Sequence, residues 1–221
     1  MRINKYIALS TGLSRRVADK AVEQWNVLVN GMPATPGQEV GEQDVVTVSG
    51  KTLTPPVKIQ TIMLNKPVGY VVSRDGQGSK TIYELLPPEL HHLKPIGRLD
   101  KDSSGLLLLT NDGQLAQELT HPKYQKTKIY EVRLSTPLAP LHRQMISDHG
   151  VQLTDGSSKL HLERITDGDD QNWRITMHEG RNRQIRRTFA ALGYMVTKLH
   201  RTNFGNFALG DLQMGAYRLH S

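Results

Sequence analysis

Asp100 and Asp102 stand two residues apart in a polar segment, residues 97–105 (GRLDKDSSG), that runs straight into Leu106-Leu107-Leu108-Leu109. A carboxylate at the mouth of a buried strand is held rigidly, which favours a nucleophile or an acid-base group. Three readings of the pair stand side by side: a reacting carboxylate, a turn whose aspartates cap backbone N–H groups, and a metal site. Arg98 and Lys101 flank the pair, and their charge competes with a cation, so metal binding is discounted. The nine histidines are scattered; His91, His92 and His121 show neither metal-ligand spacing nor a nucleophile nearby and receive no catalytic role.

A second chemical feature lies downstream. Between Gly180 and Gly210 the chain carries Arg181, Arg183, Arg186, Arg187, Lys198 and Arg201. The same stretch carries neither Asp nor Glu. Such a block suits phosphate oxygens, and it sits in a chain of net charge +7. The competing reading is a solvated basic face.

These residues need elements to position them. From about residue 59, strand-like runs dominate: 61–65, 70–73, 106–110, 129–134, 173–177 and 195–200. Helical patterns intervene at 114–119, 140–148 and 181–192, the last stopped by Gly193. The sum is an α+β domain over 59–221 with a mixed, mainly antiparallel sheet and flanking helices.

The first fifty residues form a unit of another kind. Ile3, Tyr6 and Ile7 have helical spacing, Gly12 is a natural stop, and Ser14 is an N-cap for a second helix. In that helix Val17, Ala18, Ala21, Val22 and Trp25 share one side, while Arg15, Arg16, Asp19, Lys20 and Glu23 share the other. Strands at 27–29 and 45–48 follow, the first closed by the turn pair Asn30-Gly31. Residues 51–58 (KTLTPPVK) have the proline and polarity of a linker, so the expected organisation is 1–50, linker 51–58, and 59–221.

Two resemblances sharpen this reading. RINKYIA, GLSRRVADKAV and VLVNG resemble the ribosomal protein S4-like RNA-binding domain, an αα-β unit. That resemblance implies RNA contact through Arg2, Lys5, Arg15, Arg16 and Lys20. GRLDKDSSGLLLLTNDG resembles the signature loop of the pseudouridine synthases, in the branch named after Rsu that modifies ribosomal RNA. IMLNKPVGY, KIYEV, GRNRQIRR and the closing LHRT with GAYR follow in the family's order, so the likeness runs almost from end to end.

The pseudouridine synthase resemblance implies isomerisation of uridine: the C1′–N1 bond breaks, the uracil turns, and C1′ joins C5. It implies Asp100 as the catalytic carboxylate, Arg186 as its partner arginine, and Tyr130 as a stacking or proton-accepting tyrosine. Ile185 is expected beneath the base. Arg98 is expected either to fill the vacated stack or bind a flanking phosphate, or else to brace the loop. Arg181, Arg183 and Arg187 are expected on RNA phosphates. No cofactor or metal is required, and the expected partner is ribosomal RNA or an assembling ribosomal subunit.

Thr188, where many relatives carry methionine, is expected to bear on substrate fit. The roles of Asp102 and Lys128 stay open, as do the subunit and the uridine modified. No cysteine, signal-peptide core or membrane-length apolar run is present, so a cytoplasmic monomer is expected.

Overall fold

The computed structural model describes residues 1–41, 43–54 and 59–220. It forms two compact units, residues 1–59 and 60–221.

In the first unit, α1 (Ile3–Thr11) ends where Gly12 turns left-handed at φ 77°, and α2 (Arg15–Gln24) starts at Ser14, whose hydroxyl accepts the Val17 N–H. The buried side of the pair is Ile3, Tyr6, Ile7, Ala18, Ala21 and Val22. Val17 and Trp25 stay largely exposed instead of joining that face. A small sheet, β2-β1-β3-β4, follows from β1 (Val27–Val29), β2 (Met32–Pro33), β3 (Val46–Val48) and β4 (Lys51–Thr52).

Asn30 (φ 52°) and Gly31 (φ 82°) make the expected turn between β1 and β2. The linker expectation is corrected at its start. Lys51 and Thr52 pair with Val48 and Thr47, and Leu53 donates its N–H to Val46 O and packs on this unit's core. An apolar residue with a cross-strand partner gains more from the sheet than from solvent. Residues 55–58 of the expected linker lie outside the described residues.

The second unit is built on a nine-stranded sheet. Its strands are β5 (Thr61–Lys66), β6 (Lys94–Ile96), β7 (Ser104–Thr110), β8 (Lys128–Leu134), β11 (His161–Arg164), β12 (Asn172–Met177), β13 (Val196–Phe204), β14 (Phe207–Ala208) and β15 (Tyr217–His220). A separate hairpin joins β9 (Val151–Leu153) to β10 (Gly156–Ser158). The main path is β11-β12-β8-β13-β7-β5-β15, with β6 on β7 and β14 on β13. All pairings are antiparallel except β13 with β7.

Every residue of β7 is buried because both of its faces are covered. Leu107 and Leu109 enter the larger core around Trp173 and Phe189, while Leu106 and Leu108 enter a second core with Met63, Ile96 and Phe204. That is why the sequence reads as an unbroken apolar run and not as an alternation.

Helices α3 (Gly113–Thr120), α4 (Pro140–Gln144) and α5 (Gln184–Ala190) complete the unit. Three expectations need correction. Residues 70–73 form no strand; Val71 makes a single bridge to Thr81, between a left-handed Gly69 and the bends that follow. The helix expected over 140–148 becomes a π turn at Met145–His149. The helix expected from Arg181 begins only at Gln184, because Arg183 sits in the left-handed region at φ 46°.

Candidate active site

The aspartate loop is tied down from Asp100 to Ser103. Lys66, buried at the end of β5, donates from Nζ to Asp100 O (3.0 Å), Ser103 O (2.7 Å) and Pro67 O (3.0 Å). Gly69 N–H donates to Lys101 O (2.7 Å), and Arg186 donates to Asp102 O (2.8 Å). Each carbonyl from 100 to 103 therefore accepts a hydrogen bond, so the loop can present its side chains in one geometry. Burial pushes the Lys66 amine down to about 8, against the pull of the Asp100 and Asp102 charges.

Two arginines reach the loop with different duties. Arg183 holds Asp102 in a two-pronged grip, NH1 to Oδ1 at 3.0 Å and NH2 to Oδ2 at 2.9 Å, and its NH1 lies 3.3 Å from Asp100 Oδ2. Those hydrogen bonds hold the Asp102 carboxyl below the usual carboxylate range. Arg186 lies behind the loop, with NH1 on Val196 O (2.8 Å) and Nε 3.3 Å from Asp102 Oδ2. Among the described residues it makes no ion pair with Asp100, so the expected Asp100–Arg186 pairing is corrected to Asp100–Arg183. The positive φ of Arg183 is the cause, since it turns that side chain toward the aspartates at the helix entrance.

The loop opens on a cleft of about 1130 Å³, above the range of roughly 300–1,000 Å³ usual for small-ligand pockets. Asp100, Arg98, Tyr130 and Ile185 all line it. Tyr130 and Ile185 are buried, only 8% and 4% exposed, Arg98 is exposed, and Asp100 is half-exposed.

The basic block is committed to the protein. Arg181 donates to Asp155 Oδ1 and to the carbonyls of Asp155, Gly156 and Ser157, and it also meets Glu179. Arg187 grips the same Asp155 carboxylate at 3.1 and 2.7 Å, which holds that carboxyl below its ordinary value. Arg181, Arg183 and Arg187, the expected phosphate ligands, also make ion pairs within the protein, fastening α5 and its entrance to the β9–β10 hairpin and to the aspartate loop. Thr188 is fully buried, its hydroxyl 2.7 Å from Ser158 Oγ, and does not border the cleft. In the first unit Arg2, Arg15, Arg16 and Lys20 are exposed and Lys5 is half-buried.

Comparison with known proteins identifies the family. The sequence pattern of RNA pseudouridylate synthases matches residues 60–191, and that of the S4 domain matches residues 1–46. The chain belongs to the RNA pseudouridylate synthase family. It is 38% identical to the ribosomal small subunit pseudouridine synthase A of Pasteurella multocida, over 99% of this chain and 95% of the relative. It is 35% identical to the ribosomal large subunit pseudouridine synthase B of Bacillus subtilis, over 98% and 91%. A crystal structure of a pseudouridylate synthase superposes with a TM-score of 0.70 at 35% identity, covering 100% of this chain and 96% of the other. As a pseudouridylate synthase carrying an S4 domain, the chain is an isomerase.

Sequence reasoning about this synthase missed Lys66 and Arg183 as the groups on Asp100. Lys66 had a signal in the NKPVGY motif, although its type alone suggested an exposed cation. Arg183 had none beyond being one arginine among four.

Proposed function

We propose that this synthase isomerises a uridine of ribosomal RNA to pseudouridine with Asp100 as the carboxylate acting on the nucleoside. The observation that carries the reading is the Asp100 carboxylate on the cleft wall, beside Arg183 at 3.3 Å and on a loop whose carbonyls from 100 to 103 are tied. The ribosomal RNA substrate rests on the relatives, which act on the small and the large subunit.

In the reaction the C1′–N1 bond breaks and the C1′–C5 bond forms. N1 gains the proton that C5 loses, so atoms and electrons balance within one nucleoside. Asp100 acts either by attack on the sugar or by removal of a sugar proton, and both use its carboxylate.

Tyr130 and Ile185 offer the flat and the apolar surface between which an extruded uracil sits, and extrusion is needed because the glycosidic bond is shielded in a stack. Arg98, exposed on the rim, contacts the strand that the base has left. Arg186 is a positioning residue, holding the loop by its backbone. Arg2, Lys5, Arg15, Arg16 and Lys20 of the S4 domain grip RNA phosphates. The work takes place on ribosomal RNA or assembling subunits in the cytoplasm, by a monomer.

Wild type and Asp100→Asn are incubated with unmodified small- and large-subunit RNA in EDTA, and pseudouridine is mapped by carbodiimide-blocked primer extension. A stop is expected with wild type alone, with at least about a hundredfold loss in the variant. Shortened RNA would indicate a nuclease. No stop on naked RNA or on assembling subunits, with RNA binding intact, would make the protein an assembly factor.

A further inference from the structure

Of the lysines and arginines that line the cleft, Arg181 pairs with Asp155 and Glu179, and Arg183 pairs with Asp100 and Asp102. Arg98, Lys126, Lys128, Lys159 and Arg201 line it without an ion pair among the described residues, and of these Arg201 is buried with Lys128 as its neighbour. Among the described residues neither meets a carboxylate within ion-pair distance. Lys128 Nζ donates only to the Glu179 carbonyl at 3.3 Å, and Arg201 Nε to Leu106 O at 2.8 Å.

Arg201 is 2% exposed, and one terminal nitrogen of its guanidinium is buried without a partner. A buried, unneutralised guanidinium is costly. The cost rises because Lys128 is its neighbour: the amine is pushed down first by burial and then by the Arg201 charge. Glu179, the nearest acid, has its carboxylate on Arg181 and Gln184. Both cations rest on Phe204, Lys128 Nζ at 5.3 Å and Arg201 Cζ at 4.9 Å from the ring centroid, but a neutral ring does not cancel two charges.

The register locates the pair. On neighbouring strands Arg201 faces Tyr130 and Phe204 faces Lys128. Lys128 and Tyr130 point to the same side of β8, about 7 Å apart along the strand. That is the reach between a base held at Tyr130 and a phosphate of its own strand.

We propose that Lys128, backed from beneath by Arg201, is a phosphate-binding subsite that holds the RNA strand beside the target uridine. The proposal rests on an RNA substrate in this cleft. The half-exposed Lys128 ammonium touches the phosphate, and Arg201 strengthens the field behind it. The anion supplies the counter-charge that the protein leaves out, so the site favours an RNA strand over an empty cleft.

Full-length wild type, Lys128→Gln and Lys128→Arg are titrated with a labelled unmodified ribosomal RNA fragment over a range of salt, with isomerisation measured in parallel. Lys128→Gln is expected to bind roughly tenfold more weakly. Its log affinity should fall with log salt by about 0.7 less steeply, the signature of one lost single-strand phosphate. Lys128→Arg should keep both affinity and slope. A neutral methylphosphonate beside the mapped uridine should weaken wild type and leave Lys128→Gln unchanged. An unaltered slope in Lys128→Gln overturns the subsite. So does a Lys128→Arg protein that binds normally but no longer isomerises, which would give the amine to proton transfer. Loss of slope in Lys128→Gln without isomerisation by wild type would sink the enzymatic reading and keep the subsite.

Discussion

Lys66 brings an ammonium into the interior to bind three carbonyls, two of them in the aspartate loop. Its amine is lowered to about 8 in the folded chain against an ordinary 10.5. Below pH 8 both folded and unfolded chains hold the proton, and the cost of burying the charge is fully present. Between pH 8 and 10.5 the unfolded chain holds more of it, so stability from this group rises with pH. Urea unfolding of wild type should therefore gain on Lys66→Met through that window. The neutral amine has one donor fewer for its three carbonyls, so isomerisation by wild type is expected to decline over the same range. A pH profile with no alkaline limb near 8 would separate the loop from Lys66. The two arginines divide just as clearly. Arg183→Gln is expected to cost activity and less than about 1 kcal/mol of stability, because its ion pairs face solvent. Arg186→Gln strips donors from Asp102 O and Val196 O and should cost about 1–3 kcal/mol.

At the scale of elements, the loop is only as rigid as the crossing of β7 with β13. Gly105 sits at that crossing with φ 103°, and a Cβ there would lie 2.2 Å from Arg201 O and 2.5 Å from Arg201 N. Gly105→Ala is expected to destabilise the unit by more than about 3 kcal/mol, read as a lower urea midpoint or loss of soluble protein. The LLLL run made β7 evident, because a strand covered on both faces needs apolar residues at every position. By contrast the start expected for α5 is three residues too early, since its amphipathic pattern continues through Arg181 and Arg183 while the backbone at Arg183 does not.

On the whole molecule, the excess of positive charge is divided between two units with different tasks. In the S4 domain Arg15, Arg16 and Lys20 stay exposed, whereas the arginine block of the synthase domain is largely neutralised by Asp100, Asp102, Asp155 and Glu179. Reversing Arg15, Arg16 and Lys20 to glutamate should therefore weaken RNA binding at least about tenfold and flatten its salt dependence. The single-turnover rate at saturating protein should stay near wild type. A slower saturated rate would show that the S4 domain shapes the reacting complex and not only its affinity.

The sequence by itself determined the two-unit organisation, the central apolar strand, the caps at Gly12 and Ser14, and the family to which the aspartate loop belongs. Each of these is written in local spacing or in a contiguous motif. The tertiary structure alone decided which arginine meets Asp100, that Lys66 is buried under the loop, and that Lys128 and Arg201 share one place without an acid. Such pairings join residues far apart in the chain, and a guanidinium carries the same signature in sequence whether it meets a carboxylate, a carbonyl or a phosphate. Only the backbone path, here a left-handed Arg183 and the register of β13 on β8, chooses among them.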